Sequence, residues 1–417
     1  MKIELTQDQE NAKKLIKEWY FNTDNQFFVL SGYAGTGKTF LIDYAVRKVL
    51  HLKVGKEAVF VSPTGKAAAN LLKNGTLAGT VHSLIYVRDG DEFDVDENGE
   101  IIEREEISFI KREKIDENIR LIIIDEASMV NEEVLRDLLS FNVKCLFSGD
   151  SAQLPPVSGS CPLLKKPHYI MTEIVRQAAD NPIIQVATLA RKGEYIPYGS
   201  YGDKVCVISG QSFKGEERKR LLLGADQILC GTNKTRNALN KEMRIYKNIP
   251  PSVYLPIMGE KLICTLNDWE KPLDKEERFH LVNGIIGIAE NVKEEMDDLA
   301  TMEFRADFLQ ESVKVPFDTG IFQCGRYKHG YGNRAVTLSN GRVVSEYNVE
   351  VLRKLKSVSD EPVCRFEFAY AVTCHKAQGS EFDFVIVFDE SWVFGAEQHR
   401  WLYTAITRAK KKLLIIR

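Results

Sequence analysis

Residues 27–50 read FFVLSGYAGTGKTFLIDYAVRKVL, and this stretch decides the fold. An apolar run typical of a buried strand leads into a glycine-rich turn, and a run with helical periodicity follows. The turn, residues 32–39, fits the pattern G-x-x-x-x-G-K-[ST] in the strand–turn–helix setting that the pattern requires. Its glycines let backbone N–H groups and the helix N-terminus face phosphates. We therefore predict a nucleotide-phosphate site in an α/β domain.

Individual residues of this turn have distinct expected tasks. Lys38 would reach the terminal phosphates, and the Thr39 hydroxyl would ligate Mg²⁺. Phe40 could stack on the adenine, but we expect it to pack inward because apolar residues at helix starts usually do. The other predicted nucleotide contacts of the turn are Gly32, Gly35, Thr36 and Gly37.

Similar apolar runs recur along the 417 residues, each followed by a polar turn and usually by a helical pattern. That alternation predicts parallel strands joined by crossover helices. Because the chain is long for one core, we predict two α/β units, residues 1–170 and 171–417. The runs that carry this prediction are 58–64, 121–128, 145–150, 227–233, 382–390 and 412–417.

Two stretches interrupt the alternation of strands and helices. The acidic segment 87–110 contains the turn signal Glu97-Asn98-Gly99, which predicts a β-hairpin inserted in the first unit. The segment from about 247 to 364 is rich in Gly, Tyr and Val, with strand patterns at 279–292 and 341–352. It predicts a small β-rich insert in the second unit, for which an SH3-like fold is one candidate.

Composition sets broad limits. With 44% hydrophobic and 28% charged residues, and no apolar run near the ~20 residues that cross a bilayer, the sequence is typical of a soluble protein. The N-terminus does not resemble a signal peptide, and the eight cysteines form no C-x-x-C pair. We expect a cytoplasmic protein without a zinc cluster or disulfide framework. A net charge of -3 means that only a local groove could hold nucleic acid.

A pair of carboxylates follows the aliphatic run LIII at 121–124. Asp125 and Glu126 would lie at the carboxyl end of a parallel strand, where such sheets bind nucleotides. We expect Asp125 to hold Mg²⁺ through water, and Glu126 to orient and deprotonate an attacking water. The alternative is a solvated acidic pair. Asn131-Glu132-Glu133 then predicts a helix start.

Further segments resemble the motifs of superfamily 1 helicases. The resemblance spans nearly the whole chain and is greatest to the RecD/Dda-like branch, whose members typically move 5′ to 3′ on DNA. It implies two RecA-like P-loop domains in tandem. The matching segments are LTQDQ (5–9), PTGKAA (63–68), TVHS (80–83), GDSAQLPPV (149–157), TEIVRQ (172–177), TNKTR (232–236) with Asn240, AYAVTCHKAQGSE (369–381) and YTAITRA (403–409).

This resemblance also implies roles at the nucleotide. Gln9 would hydrogen-bond the adenine edge, and Gln153 would sense the γ-phosphate and link it to the DNA groove. Arg176 and Arg408, both expected in the second unit, would reach across to ATP and stabilise the transition-state charge. The alternative for each arginine is a surface ion pair. The motif near the C-terminus places Gln378, Gly379 and Glu381 at the nucleotide as well.

The expected DNA contacts are strand-end residues of both units. Small hydroxyls, amides and backbone N–H groups would hold phosphates without reading bases. Either histidine among them could instead be a core or capping residue. These contacts are Pro63, Thr64, Lys66, Thr80, His82, Asn233, Thr373, His375 and Lys376. In the acidic hairpin, Phe93 or Val95 would pack against a splitting base pair; the alternative is a hairpin that only shields a sheet edge.

Together these features predict an ATP-dependent helicase that moves along single-stranded DNA and acts at duplex junctions. The alternatives are an ATPase that remodels protein–DNA complexes or acts on RNA, a P-loop switch that recruits a partner, and a motor subunit of a RecBCD-like complex. We see no nuclease constellation. The pathway, be it replication, repair or recombination, and any protein partners stay open.

Overall fold

The computed structural model describes residues 4–73, 75–88, 93–95, 101–103, 109–155, 163–275, 279–296, 299–324, 335–337, 343–345 and 363–417. The chain divides into two compact units, Met1–Arg191 and Lys192–Arg417. This boundary lies later than the expected one at residue 170. The reason is that Ile174, Ala178 and Ile184 pack beside Gly35 of the glycine-rich turn, which keeps this segment in the first unit.

The first unit begins with a helix and then alternates strands with helices. Its helices are α1 (Gln7–Asn22), α2 (Lys38–Tyr44, continued by a π-helix at Ala45–Val49), α3 (Gly65–Lys73), α4 (Val81–Ile85), α5 (Glu132–Leu139), α6 (Arg176–Ala179) and α7 (Pro182–Lys192). Its strands are β1 (Phe27–Gly32), β2 (Ala58–Ser62), β3 (Ala78–Thr80), β4 (Tyr86–Arg88), β5 (Phe93–Val95), β6 (Ile101–Glu103), β7 (Phe109–Lys111), β8 (Leu121–Ile124), β9 (Lys144–Gly149) and β10 (Tyr169–Met171).

The main sheet of the first unit has the order β10-β1-β9-β8-β2-β3, and every neighbouring pair is parallel. The α/β prediction is therefore confirmed. Strand β8 explains the aliphatic run, because its four side chains are at most 1% exposed. A parallel strand covered on both faces needs such a run, and each buried side chain contributes about 1.5–3 kcal/mol.

Two helix starts in the first unit follow directly from the sequence. Thr6 accepts from the Gln9 backbone N–H, and the Gln9 side chain accepts from the Thr6 N–H, so two backbone donors at the start of α1 are satisfied. Asn131 caps α5 by accepting from the Val134 N–H at 2.9 Å. The predicted helix start at 131–133 is confirmed.

The acidic segment of the first unit contains two antiparallel pairs, β4 with β7 and β5 with β6. Residues 96–100 and the side chains of Phe93 and Val95 lie outside the described residues. The strand-separating role predicted for this segment stays a hypothesis.

The second unit contains a second strand–helix alternation around a long insert. Its helices are α8 (Gly215–Gly224), α9 (Asn233–Tyr246), α10 (Gly320–Cys324) and α11 (Gln398–Ile406). Its strands are β11 (Gly199–Tyr201), β12 (Val205–Ile208), β13 (Gln227–Cys230), β14 (Lys261–Cys264), β15 (Asp268–Pro272), β16 (His280–Leu281), β17 (Ile286–Met296), β18 (Leu299–Ala306), β19 (Val313–Asp318), β20 (Ala335–Thr337), β21 (Val343–Ser345), β22 (Phe366–Phe368), β23 (Ala371–Thr373), β24 (Phe382–Phe388) and β25 (Ala409–Ile416).

The main sheet of the second unit has the order β11-β12-β25-β24-β13-β23, in which only the edge strand β11 runs antiparallel. A separate antiparallel sheet has the order β19-β18-β17-β14-β22. It lies between α9 and β23 in the chain, where the β-rich insert was expected. Much of 341–352 is outside the described residues, and the SH3-like assignment stays a prediction.

Among the residues described in both units, no helix is long and apolar enough to cross a membrane. The described cysteines are Cys145, Cys206, Cys230, Cys264, Cys364 and Cys374, and all are free thiols.

Candidate nucleotide and nucleic-acid site

The glycine-rich turn leaves β1 at Gly32 and enters α2 at Lys38. Gly35 and Gly37 have φ angles of 82° and 77°, in the left-handed region that side chains disfavour. The Lys38 ammonium donates to the Gly32 carbonyl at 2.5 Å and to the Tyr33 carbonyl at 3.3 Å. The lysine thus folds back over the concave backbone of its own turn.

The turn has no room for a side chain at two of its glycines. A Cβ atom on Gly32 would lie 2.9 Å from Thr36 Oγ1 and 3.0 Å from Met171 Cβ, and one on Gly37 would lie 2.7 Å from Gln9 Nε2. A bare backbone, an ammonium group and the hydroxyl of Thr39 suit a triphosphate with Mg²⁺, which prefers oxygen ligands. The residues present therefore fit both groups.

Three side chains predicted at the nucleotide differ in their burial and contacts. Gln9 is buried and donates to the Thr36 carbonyl at 3.1 Å, so it holds α1 against the turn. The Thr36 hydroxyl is also buried, and it donates to the Tyr33 carbonyl at 2.8 Å within the turn. Phe40 is 48% exposed and lies against the Tyr44 ring, so the expectation that it packs inward is wrong.

The predicted carboxylates lie at the end of β8, two strands from the glycine-rich turn in the sheet order. The Asp125 N–H donates to the Val61 carbonyl at 2.9 Å. Glu126 has a φ of 55°, a left-handed conformation that costs a non-glycine residue free energy and recurs at functional sites. Both residues are half-buried, which suits carboxylates that hold an ion or a water.

A loop that starts after β9 lies between those two positions. The Ser31 hydroxyl donates to Ser151 Oγ at 3.1 Å, and the Ser151 N–H donates to Ser31 Oγ at 3.3 Å. Asp150 accepts from the Ala152 N–H at 2.9 Å and holds the loop in shape. Gln153 follows, half-buried, so the loop that carries it is tied to the strand leading into the glycine-rich turn.

The segment with Arg176 contacts the glycine-rich turn from within the first unit. The Val175 N–H donates to the Gly35 carbonyl at 3.0 Å, and Val175 Cγ1 lies beside Gly37. Arg176 therefore lies in the first unit, and not in the second unit, where it was expected. The backbone of this residue begins α6, and its side chain lies outside the described part of the chain.

In the second unit, Arg408 is 3% exposed. Its guanidinium donates to the Thr404 carbonyl at 3.1 Å, the Ser380 carbonyl at 3.2 Å and Thr407 Oγ1 at 3.2 Å. It is not the surface ion-pair partner that we considered. A role at a phosphate would require some of these hydrogen bonds to be exchanged for phosphate contacts.

Three adjacent strands of the second sheet, β23, β13 and β24, end at the same edge. Thr373 ends β23 and His375 follows it, Asn233 follows β13, and Glu390 follows β24. Glu390 accepts from the Gly231 N–H at 2.7 Å, the Thr232 N–H at 2.9 Å and the Thr235 hydroxyl at 2.6 Å. This carboxylate fixes the start of α9, and with it the exposed Asn233.

Comparisons with known proteins agree with this geometry. Residues 4–208 match the AAA domain model and residues 368–416 match the UvrD-like helicase C-terminal domain model. The chain is 26% identical to the ATP-dependent RecD2 DNA helicase of Deinococcus radiodurans over 93% of its own length and 46% of that protein. It is 24% identical to the ATP-dependent DNA helicase Pif1 of Campylobacter jejuni over 93% of its length and 87% of that protein.

A crystal structure of Bacteroides Pif1 bound to ssDNA aligns with 99% of this chain over 92% of its own chain, at 19% identity and a TM-score of 0.49. The two domain matches and the sequence relatives support a RecD/Pif1-like superfamily 1 helicase. It spans 36% and 46% of two of the curated relatives that it matches.

Several residues expected at DNA have a structural task. The hydroxyls of Thr64 and Thr80 accept from the N–H groups of Ala67 and Ser83, at the starts of α3 and α4. Lys66 is only 6% exposed, which limits the contact that its ammonium group can make with a DNA strand. The exposure of Pro63 and His82 is intermediate.

The pKa values of the expected DNA contacts also differ from ordinary ones. Burial lowers the pKa of His82 and that of His375, so both imidazoles are neutral at pH 7. Burial also lowers the pKa of Lys376, although Glu367 lies 3.5 Å away and opposes the shift. The histidines could therefore offer a phosphate a hydrogen bond but not a full charge.

In the loop after β23, Gln378 is buried and Gly379 has a φ of 71°. Glu381 is about half exposed, with Lys410 Nζ 3.9 Å from its carboxylate. These three residues lie on one loop, and their contact with a nucleotide stays a prediction.

Sequence reasoning missed two acidic anchors, Asp8 and Glu390. Asp8 accepts from the Thr172 N–H at 2.6 Å and the Glu173 N–H at 2.8 Å, which joins α1 to the segment after β10. Burial raises the pKa of Asp8, but the hydrogen bonds from Glu173 and Thr172 outweigh it and hold the pKa below its ordinary value. Its place beside Gln9 in LTQDQ was a usable signal, whereas nothing local marks Glu390.

Proposed function

We propose that this chain is an ATP-driven motor that moves along single-stranded DNA, 5′ to 3′, and separates duplex strands. The observation that carries the proposal is the row of strand-end groups in the first unit. The glycine-rich turn, Gln153 and the Asp125–Glu126 pair follow the neighbouring strands β1, β9 and β8. Strand-end loops of the second sheet supply the matching set of polar residues.

The proposed division of labour at the nucleotide follows from these positions. Backbone N–H groups of the turn and Lys38 would bind the phosphates, with the Thr39 hydroxyl and Asp125 holding Mg²⁺ directly or through water. Bound there, Mg²⁺ would neutralise charge that develops on the phosphate oxygens. Glu126 would orient the attacking water and take its proton.

Coupling to DNA would use the loop 150–153. Its Ser151 is hydrogen-bonded to Ser31, at the end of the strand that feeds the phosphate turn. A shift of the turn as the phosphates bind or leave would therefore move Gln153. Arg408 is proposed to stabilise the transition state, since a guanidinium donates to two phosphoryl oxygens at once.

The phosphate-contact residues are proposed to hold DNA without reading its bases, as a motor that passes through any sequence requires. The relatives RecD2 and Pif1 are named as DNA helicases, which supports DNA rather than RNA as the track. The antiparallel pairs at 86–111 are proposed to act at the duplex junction. Deletion of 91–101 should abolish unwinding while DNA-stimulated hydrolysis of ATP survives.

The test is ATP-dependent strand displacement on two substrates, identical duplexes with only a 5′ or only a 3′ single-stranded tail. Displacement from the 5′ tail alone is the expected result, and Lys38→Ala should abolish it while DNA binding stays measurable. Displacement from the 3′ tail would reverse the proposed direction. No displacement from either, with hydrolysis still stimulated by DNA, would indicate a remodelling translocase. Hydrolysis indifferent to DNA would point to a P-loop switch.

A further inference from the structure

Trp392 is 72% exposed in the short helical segment Ser391–Glu397, which follows β24. Tryptophan is among the side chains that gain most from burial, so an indole in water forgoes a large stabilisation. Its neighbour Phe394, by contrast, stacks on the buried Trp401 with ring centroids 5.5 Å apart. The exposure of Trp392 therefore needs an explanation beyond the packing of its segment.

The segment that carries Trp392 is fixed rather than loosely attached. The Ser391 N–H donates to Asp389 Oδ1 at 3.0 Å, and the Val393 N–H donates to the Glu390 carbonyl at 3.1 Å. Asp389 also accepts from Arg417 at 2.7 Å. Because these hydrogen bonds hold its backbone, Trp392 loses little backbone freedom when a flat ligand stacks on its indole.

The same segment contacts both loops proposed to hold phosphates in the second unit. Glu390, the residue just before it, accepts from the Thr232 N–H ahead of α9, where Asn233 is exposed. The Phe394 and His375 ring centroids are 5.5 Å apart. Trp392 is two residues from both Glu390 and Phe394, so its Cα lies within about 7.6 Å of the Cα of either residue. The backbone of Trp392 is therefore close to both loops.

Sheet order gives the same placement. The strands β23, β13 and β24 are adjacent, and they end at Thr373, Cys230 and Phe388 respectively. Phosphate contacts after the first two strands would lead a nucleic-acid strand toward the third. The nearby carboxylates of Asp389 and Glu390 already accept from N–H and O–H donors, which reduces their repulsion of a phosphate.

We propose that Trp392 stacks on a base of the single strand that the neighbouring loops hold by its phosphates. The inference rests on the proposed function and adds to it a contact with the bases. Stacking suits a motor because every base has a flat face, so the contact tolerates any sequence. A protein partner is the other class of occupant, and the experiment below excludes or reveals it.

The experiment measures binding of the full chain to two labelled strands of equal length, oligo-dT and an abasic backbone, by fluorescence anisotropy. Trp392→Ala should weaken binding to oligo-dT by about 5-fold to 150-fold and leave binding to the abasic strand unchanged. Trp392→Phe should retain most of the affinity. Met258→Ala is the matched control, because Met258 is 76% exposed in the turn before β14.

Equal weakening on both strands would show a role in shaping the phosphate contacts and overturn the stacking proposal. So would unchanged binding in Trp392→Ala, which would leave the indole to a protein partner. Both of these outcomes keep the proposed function, because the wild-type chain still binds DNA. If the wild-type chain bound neither strand, the proposed function itself would fail, and the stacking role with it.

Discussion

At the residue scale, Arg408 combines a proposed catalytic task with a structural one. Arg408→Ala should lower the rate of ATP hydrolysis by about 10³–10⁵, because the transition-state charge loses its partner. It should also lower the free energy of unfolding by about 1–3 kcal/mol, because the buried carbonyls of Ser380 and Thr404 lose a donor. Steady-state hydrolysis and urea denaturation of the same preparation measure the two effects. A folded variant with wild-type hydrolysis would contradict the catalytic role.

Also at the residue scale, the neighbours His375 and Lys376 offer a matched pair. Burial lowers the pKa of His375, so this imidazole is neutral at pH 7.5 and releases no counterion from DNA. Lys376→Gln should therefore reduce the slope of log K against log salt by about 0.7, while His375→Gln should weaken binding without changing the slope. Titrations of a single strand at several salt concentrations measure both slopes. A changed slope in the histidine variant would contradict its neutral state.

At the scale of elements, Asn240 helps to attach α9 to the backbone of two strands, β22 and β23, by hydrogen bonds. Asn240 is 6% exposed; it donates to the Phe368 and Ala371 carbonyls and accepts from the Ala371 N–H. Asn240→Ala would leave these buried backbone groups unsatisfied, so the free energy of unfolding should fall by about 3 kcal/mol. Lys241→Ala, exposed on the same helix, should change it by less than about 0.5 kcal/mol. Urea denaturation compares the two, and equal losses would refute the attachment.

The elements also explain which features the sequence could predict. Runs such as LIII at 121–124 predicted parallel strands correctly, because a strand buried on both faces must be aliphatic throughout. The glycine-rich turn was predictable because all its parts are contiguous. Glu390 was not, since its partners at 231–235 are distant in the chain. The prediction that Phe40 packs inward was wrong, because the burial of a helix face depends on neighbouring elements that the periodicity of the sequence does not show.

At the scale of the whole molecule, each unit contains a histidine that is harder to protonate than a histidine in water. His82 lies in the first unit and His375 in the second, and burial holds the pKa of each below its ordinary value of 6.5. Well above pH 6.5 neither state of the protein is protonated at these sites, and the histidines add no pH dependence. Below pH 6.5, the unfolded chain binds protons at these histidines and the folded chain does not. The free energy of unfolding therefore decreases as the pH falls toward the folded pKa values.

We therefore expect urea to unfold the chain at a lower concentration at pH 5.5 than at pH 7.5. The double variant His82→Gln and His375→Gln should lose less stability between these two conditions, because glutamine does not titrate. Asp8 does not confuse the comparison, since its pKa is held below an ordinary value of 3.8 and its contribution is lost only in more acidic solution. An equal loss in the double variant would mean that other groups take up the protons. Each unit unfolding as a separate transition would let the effect of each histidine be measured alone.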